Sequence, residues 1–125
     1  MRVGMLRKSF VYAWKGLTLV FRTEQNFRIQ IVVGIIVLGV GYFLYLPAWK
    51  MITLLLVTGF VLVLELVNSL FERLLDAFRP RIHHYIEEMK DIMAAAVLIA
   101  SIGAVIIGLI LFWPHLALVA RAVVR

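Results

Sequence analysis

The sequence predicts an all-α membrane protein, with three transmembrane helices and an N-terminal amphipathic helix on the membrane surface. Of its 125 residues, 64% are apolar, whereas a soluble domain has about 45–50% apolar residues. Three apolar stretches are each long enough to cross a bilayer, which takes about 20 residues of helix. The chain contains no cysteine, which excludes disulfide and thiolate chemistry. We expect one membrane-embedded domain over residues 1–125.

A basic, aromatic segment precedes the first apolar stretch and is predicted to form the surface helix, over residues 5–22. Phe10, Trp14, Leu17 and Phe21 recur at helical spacing, with cations between them. This pattern is typical of a helix in the membrane interface. The net charge of +6 could instead indicate nucleic-acid binding. The basic residues flank apolar segments, however, which favours roles in topology and in binding anionic lipid.

The three spans are predicted at about residues 27–46, 49–71 and 91–113. Prolines mark their borders, because proline removes a backbone hydrogen bond inside a helix. Pro47 is expected in a tight turn between the first two spans. Pro80 is expected to break the helix within a polar loop, Arg73–Lys90, and Pro114 to close the third span.

The distribution of cations predicts the orientation of the spans. Residues 1–28 hold six of the 13 lysines and arginines, and the 73–90 loop holds four. Cytoplasmic segments carry this excess, so the N-terminus is expected inside the cell and the C-terminus outside.

Three helices enclose a polar site poorly, which predicts a homo-oligomer. The third span has a small-residue face suited to helix contact, made by Ala94, Ser101, Ala104 and Gly108.

Glu65 lies inside the second apolar stretch and begins a row of polar residues. At about 100° per residue, Asn68, Glu72 and Asp76 fall within roughly 60° of Glu65 on the helix, so all four share one face. A charge near the bilayer centre costs roughly 2.5–3.5 kcal/mol on insertion scales. An intramembrane carboxylate is therefore a candidate functional residue.

The predicted topology brings further charged residues to the cytoplasmic face. Glu24 ends the surface segment, Glu72 ends the second span, and Lys90 begins the third. Mg²⁺ is usually held by one or two carboxylates plus substrate phosphates, which makes Glu24 and Glu72 candidate ligands. Lys90 could balance phosphate charge at a helix start. Glu65, roughly 10 Å deeper, could take a proton from an alcohol, with Asn68 holding the carboxylates.

Each of these residues also has a structural interpretation that the sequence leaves open. Glu72 and Asp76 could be solvated charges at a helix end, and Lys90 with Asp91 could be a capping pair. Glu24 could favour a helix N-terminus, and Asn68 could join helices by hydrogen bonds. The sequence contains no G-x-x-x-x-G-K-[ST] phosphate loop, so any nucleotide site would be unconventional. Its three histidines have no convincing metal spacing.

The polar residues carry a resemblance to a known family. Glu65–Asp76 reads E-x-x-N-S-x-x-E-x-x-x-D, and Lys90–Leu98 reads K-D-x-x-A-A-A-V-L. Upstream, Ala13–Leu17 reads A-W-K-G-L and Glu24–Ile29 reads E-Q-N-F-R-I. Together these motifs resemble the small prokaryotic membrane lipid kinases, namely the diacylglycerol kinases and the related undecaprenol kinases. The resemblance covers about residues 9–113.

This resemblance implies a homotrimer with active sites shared between protomers. It implies transfer of phosphate from MgATP to a lipid hydroxyl at the cytoplasmic interface of the prokaryotic cell membrane. Glu65 would be the general base and Asn68 would orient the catalytic centre. Glu24 and Glu72 would bind the metal ion. ATP would be bound by Tyr12, Glu24, Glu72, Asp76, His83, Lys90 and Asp91. The lipid would be bound by Phe27, Arg28, Gln30, Glu65 and Ala94.

Two positions depart from the family pattern and bear on the lipid substrate. Gln30 stands where the diacylglycerol kinases tend to have glutamate and the undecaprenol-type members histidine. An arginine of the diacylglycerol kinases would align near Met5, where Arg7 or Lys8 could substitute for it. The E-x-N-F-R-I run favours undecaprenol as the acceptor, with diacylglycerol as the alternative.

Two functions from other classes remain open at this stage. A small proton-coupled transporter could use Glu65 as its proton site, but this leaves the charged residues at one membrane face unexplained. A structural assembly factor could use the polar residues to join helices. The transporter would show proton-driven flux without ATP, and the assembly factor would tolerate the loss of the Glu65 charge.

Overall fold

The structure is a computed structural model that describes residues 3–78 and 83–124, and for His83 and His84 the backbone alone. The described residues form helices joined by short connections, which confirms the all-α prediction. The helices are α1 Val3–Thr23, α2 Gln25–Phe43, α3 Ala48–Phe78 and α4 His83–Val123. Three of them (α2, α3, and α4 over Tyr85–Val123) are long and apolar enough to cross a membrane. The amphipathic placement of α1 and the homotrimer stay predictions.

Glu24 is the single residue between α1 and α2. Its backbone is extended, with φ −106° and ψ 114°, so the chain changes direction there. The Arg28 guanidinium stabilises this corner by donating hydrogen bonds to the carbonyls of Phe21 and Arg22, at 3.1 and 3.0 Å. These carbonyls lie in the last turn of α1, where a cation is favoured. The corner therefore holds the Glu24 carboxylate at a fixed place between two helices.

The turn between α2 and α3 ends α2 with two hydrogen bonds of a Schellman motif. The Leu46 N–H donates to the Gly41 carbonyl, and the Tyr45 N–H donates to the Tyr42 carbonyl, both at 3.0 Å. Tyr45 occupies the left-handed position, with φ 54°, where glycine is the usual residue. Pro47 follows and cannot continue α2. The prediction of a tight turn at Pro47 is confirmed.

α3 lies between α2 and α4 and packs against both. Near the α2–α3 turn, Leu46, Leu54 and Leu111 form a buried core. The other end of α3 carries Glu65, Glu72 and Asp76, and we call it the acidic end. α2 and α4 leave between them an apolar groove of about 600 Å³ along α3. We call this the α2/α4 groove.

The helices extend beyond the spans predicted from the sequence. Much of the predicted loop Arg73–Lys90 is helical, because α3 continues to Phe78 and α4 begins at His83. Pro80 lies outside the described residues. The physical reason is that hydropathy marks where the bilayer ends, whereas helical hydrogen bonds within the chain persist beyond that border. α2 is the exception at its C-terminal end. It stops at Phe43, before the predicted residue 46, because the Schellman turn begins there.

Pro114 does not end the last helix, contrary to the prediction. α4 continues through Pro114 to Val123. Proline cannot donate to the carbonyl four residues earlier, and helices in membranes tolerate this when neighbouring groups satisfy the backbone. The carbonyl that loses its helical donor is that of Ile110. The Lys50 ammonium donates to the next carbonyl, that of Leu111, at 3.1 Å. This contact ties α3 to α4 beside the proline.

We predict that Gly34→Ala destabilises the packing of α2 on α3. A methyl group at Gly34 would lie 2.5 Å from Cγ2 of Thr58, and overpacking of this kind costs about 1–3 kcal/mol. The measurement is thermal unfolding in detergent. Gly39→Ala on the same helix is the matched control, because its methyl group would meet no atom within 4 Å.

Thr58→Ser removes the clashing methyl group and should restore stability in the Gly34→Ala background. Equal unfolding temperatures for Gly34→Ala and Gly39→Ala would contradict the close approach of α2 and α3 at this point.

Candidate active site

Glu65 is buried in α3 and hydrogen-bonded to the neighbouring helix. Its residue surface is 3% exposed. The Gln30 side chain, on α2, donates from Nε2 to Oε2 of Glu65 at 3.2 Å. A buried carboxylate without such a partner would be strongly destabilising. The bond therefore explains how α3 tolerates a carboxylate within an apolar stretch.

Glu24 meets α3 at the corner between α1 and α2. The Ser69 hydroxyl donates to Oε1 of Glu24 at 3.4 Å. Arg73 forms an ion pair with the same oxygen at 3.5 Å and donates to the Thr23 hydroxyl at 2.7 Å. Because Ser69 and Arg73 follow Glu65 by one and two helical turns, they bring the Glu24 carboxylate onto the polar face of α3.

Asn68 and Glu72 continue the polar face of α3 towards the acidic end. Both are half-buried. The Asn68 amide donates to Oε1 of Glu72 at 3.4 Å, as residues four apart on a helix can do. This hydrogen bond holds Oε1 of Glu72 in place. The other carboxylate oxygen of Glu72 can accept a hydrogen bond or coordinate a cation.

Three carboxylates thus gather around one face of α3. Glu24 and Glu72 both act electrostatically on Glu65. Like charges at close range repel each other, and in the described part of the chain Arg73 is the cation paired with this group. We call this group the carboxylate cluster (Glu24, Glu65 and Glu72).

Asp76 and Lys90 join α3 to α4 at the acidic end. The Lys90 ammonium lies 2.6 Å from Oδ1 of Asp76. The Asp76 side chain is about half exposed, at 52%, and an exposed ion pair contributes about 0–1 kcal/mol. The pair therefore contributes little stability, but it places a lysine beside the carboxylate face.

The carboxylate cluster supplies oxygen ligands of the kind that Mg²⁺ takes. Among the described residues, no three histidine, cysteine or acidic side chains are close enough to hold a metal ion by themselves. Mg²⁺ usually takes only one or two carboxylates and completes its shell with water and substrate phosphates. Glu24 and Glu72 supply carboxylates of that kind.

The structure leaves several predicted site residues apart from the cluster. Tyr12 is exposed on α1, Asp91 and Ala94 are exposed on α4, and no described contact links them to the carboxylates. Phe27 is 1% exposed and packs inside the chain, and Arg28 caps α1. The predicted His83 side chain lies outside the described residues.

Sequence reasoning missed two residues that contact Glu24, namely Ser69 and Arg73. Both follow Glu65 at intervals of four residues, so helical spacing placed them near the polar face. Ser69 is also the serine of the quoted E-x-x-N-S motif. Their partner Glu24 could not be identified, because that requires knowing how the α1–α2 corner meets α3.

Comparisons with known proteins show the family of the chain. The model of the family described as prokaryotic diacylglycerol kinase matches residues 11–112. A diacylglycerol kinase of Synechocystis sp. is 38% identical over 86% of this chain and 62% of its own length. This chain thus spans less than two thirds of that relative.

Two further relatives are matched over most of their length. An undecaprenol kinase of Bacillus subtilis is 33% identical over 87% of this chain and 89% of its own length. A diacylglycerol kinase of Escherichia coli is 33% identical over 86% of this chain and 88% of its own length. The family match and these identities confirm the resemblance seen in the motifs: the chain belongs to the prokaryotic diacylglycerol kinase family.

Proposed function

We propose that the protein is an ATP-dependent kinase that phosphorylates the hydroxyl of a membrane lipid at the cytoplasmic interface. Undecaprenol is the favoured acceptor, and diacylglycerol is the alternative. The observation that carries the proposal is Glu65, a buried carboxylate at the deep end of a carboxylate cluster. Glu65 is the proposed base at the depth of the lipid hydroxyl. The proposed metal ligands, Glu24 and Glu72, lie nearer the end of α3.

The nucleotide side of the proposed site lies towards the acidic end. Glu24 and Glu72 would hold Mg²⁺, which, when bound, neutralises charge on the phosphates. Asn68 keeps one Glu72 oxygen in place, and Lys90 offers a cation to phosphate. Tyr12, Asp76, His83 and Asp91 complete the proposed ATP contacts. Phosphoryl transfer depends mainly on positioning and charge neutralisation, which these few residues can supply.

Glu65 acts as general base in this proposal. The lipid oxygen forms a bond to the γ-phosphorus, the bond from that phosphorus to the ADP oxygen breaks, and the hydroxyl proton moves to Glu65. A general base must lie within hydrogen-bond reach of the proton that it takes. Among the described residues, Gln30 donates to Oε2 of Glu65, which would leave Oε1 for the alcohol.

The lipid side of the proposed site is the α2/α4 groove. Gln30 belongs to its lining, which is otherwise mostly apolar. A hydrocarbon tail in this groove would place its hydroxyl beside Gln30 and Glu65. The preference for undecaprenol rests on the E-x-N-F-R-I run, since both kinds of lipid kinase occur among the relatives at similar identity.

A homotrimer with shared sites is part of the proposal. Large apolar side chains of α4, such as Ile99, Ile102 and Ile106, are exposed in the single chain. A neighbouring protomer would cover them and, together with Arg28 and Ala94, would complete the lipid contacts. The proposed orientation, N-terminus inside and C-terminus outside, rests on the excess of cations near the acidic end.

The transporter and assembly-factor alternatives are less well supported. Neither accounts for three carboxylates and the Asp76–Lys90 pair gathering at one end of α3. Neither agrees with the family to which the chain belongs. We therefore propose no transport function.

We predict that Glu65→Gln lowers lipid phosphorylation by about 100-fold or more, the contribution of a general base. The amide keeps the shape and polarity of the side chain, so the unfolding temperature in detergent should change little. The measurement is transfer of label from γ-labelled ATP to extracted lipid. A variant with full activity would remove Glu65 from the mechanism.

We predict that Glu72→Ala raises the Mg²⁺ concentration needed for half-maximal activity by about tenfold. Removing a side chain that supports a metal site typically lowers metal affinity by roughly 10- to 100-fold. Glu87→Ala is the matched control, because Glu87 is exposed on α4 and outside the carboxylate cluster. A magnesium titration that matches the wild type would show that Glu72 is not a ligand.

A further inference from the structure

The last helix extends well beyond the turn that joins α2 to α3. Leu111 packs with Leu46 beside this turn, so α4 has crossed the bundle of helices by that residue. Residues 92–111 already give about 30 Å of helix, the thickness of the hydrocarbon core of a bilayer. α4 then continues to Val123, about 18 Å further at 1.5 Å per residue. We call residues 114–123 the distal segment.

Exposed aromatic side chains mark the membrane interface where the distal segment begins. Tyr45 in the turn, Trp49 at the start of α3 and Trp113 on α4 are all exposed. Trp49 and Trp113 lie at similar depth, because Lys50 contacts the carbonyl of Leu111. Tyrosine and tryptophan concentrate at the border between lipid and water. The distal segment therefore starts where the hydrocarbon core ends, on the side away from the acidic end.

The distal segment is poorly suited to water over most of its surface. Apart from Pro114, it consists of alanine, leucine and valine with His115 and Arg121. A helix that is apolar on nearly every side is stable only when protein or lipid covers it. Protein interfaces are enriched in aromatic residues and carry hydrogen bonds and a polar rim, whereas a lipid surface requires none of these. Its large apolar side chains are all exposed, namely Leu116, Leu118, Val119 and Val123.

Arg121 lies opposite an apolar stripe on the distal segment. Leu116, Val119 and Val123 share one side of the helix, and we call them the apolar stripe. At about 100° per residue, Arg121 falls roughly 140–160° away from this stripe. Arg121 is exposed, and the segment contains no acidic residue. An arginine can keep its stem on apolar surface while its charged group reaches the lipid phosphates, and such cations favour anionic lipid.

Pro114 allows the distal segment to incline against the span that precedes it. Proline leaves the Ile110 carbonyl without its helical donor, and it is a common cause of sharp kinks in helices. The headgroup region adds only about 5–8 Å on each side of the hydrocarbon core. An upright segment would therefore carry Val123 through this region into water. An inclined segment keeps the whole apolar stripe at the border of the acyl chains.

We propose that the distal segment lies along the membrane surface opposite the acidic end and binds anionic phospholipid there. The apolar stripe enters the border of the acyl chains, and Arg121 meets the phosphates. This surface lies beyond the residues that the family model matches. The inference goes beyond the proposed kinase function and does not depend on it, because it concerns how α4 is anchored in the membrane.

The main test compares the depth of two spin labels on the distal segment. The chain contains no cysteine, so Leu116→Cys and Val123→Cys each give one labelled position, in liposomes of phosphatidylcholine and phosphatidylglycerol. Both positions lie on the apolar stripe, two helical turns apart. A segment along the surface places the two labels at the same depth to within about half a helical pitch, roughly 3 Å. An upright segment separates their depths by about 10 Å.

Collisions of the labels with two reagents report what surrounds them. We expect both labels to meet oxygen dissolved in the lipid more often than a water-soluble nickel complex. Frequent collision of the Val123 label with the nickel complex would place it in water and overturn the proposal. Few collisions with either reagent would mean that a second copy of the chain covers the segment, which would also overturn it. Glu87→Cys, on an exposed part of α4 near the acidic end, calibrates collisions in water.

A quenching measurement tests the preference for anionic lipid. A fluorophore on Leu118→Cys lies one helical turn from Arg121, in liposomes with equal amounts of phosphatidylcholine and phosphatidylglycerol. We expect brominated acyl chains to quench it by about twofold more when they are on phosphatidylglycerol, because a cation attracts anionic lipid. Arg121→Gln should make the two lipids quench equally. Lys15→Gln, which removes an exposed cation of α1, should leave the difference unchanged.

The outcome of this comparison decides the role of the charge. Equal quenching by the two brominated lipids while Arg121 is present would overturn the binding of anionic phospholipid. A difference that persists in Arg121→Gln would show that Arg121 does not select the lipid. Each labelled variant should unfold in detergent at the temperature of the wild type, since the substituted side chains are exposed.

Discussion

The hydrogen bond between Gln30 and Glu65 is the interaction on which the rest of the structure depends. A carboxylate in an apolar helix must have a partner from a neighbouring element, because lipid offers none. α2 provides that partner only where it approaches α3 closely. Gly34 lies one helical turn after Gln30, and its lack of a side chain allows contact with Thr58 of α3. The close packing of two helices and the placement of the polar centre are thus one feature.

The carboxylate cluster shows how a short chain can assemble a site of this kind. Each carboxylate has one oxygen engaged by a neutral or cationic neighbour: Gln30 on Glu65, Asn68 on Glu72, and Ser69 with Arg73 on Glu24. This pattern orients the acidic side chains and leaves an oxygen of each for another partner. The proposed phosphoryl transfer depends mainly on positioned charge, which four helices can supply.

The sequence predicted the all-α fold, the three apolar helices and the polar face of α3, because these follow from composition and helical periodicity. It also identified Glu24, Glu65, Asn68 and Glu72 as the groups of interest. The contacts between helices were beyond its reach: the partners of Glu65 and Glu24 depend on the register of α2 and of the corner against α3. The continuation of α4 through Pro114 was also missed, because proline usually ends a helix whereas helices in membranes tolerate it.

The most direct test of the account is to offer the purified protein undecaprenol and diacylglycerol together, with γ-labelled ATP and Mg²⁺, and to compare the labelled lipids. We expect label in a lipid phosphate, mainly undecaprenyl phosphate, and none when Mg²⁺ is removed by a chelator. Label mainly in phosphatidic acid would correct the acceptor and keep the mechanism. Label in neither lipid, with the protein folded, would contradict the claim that Glu65 and its neighbouring carboxylates form a kinase site.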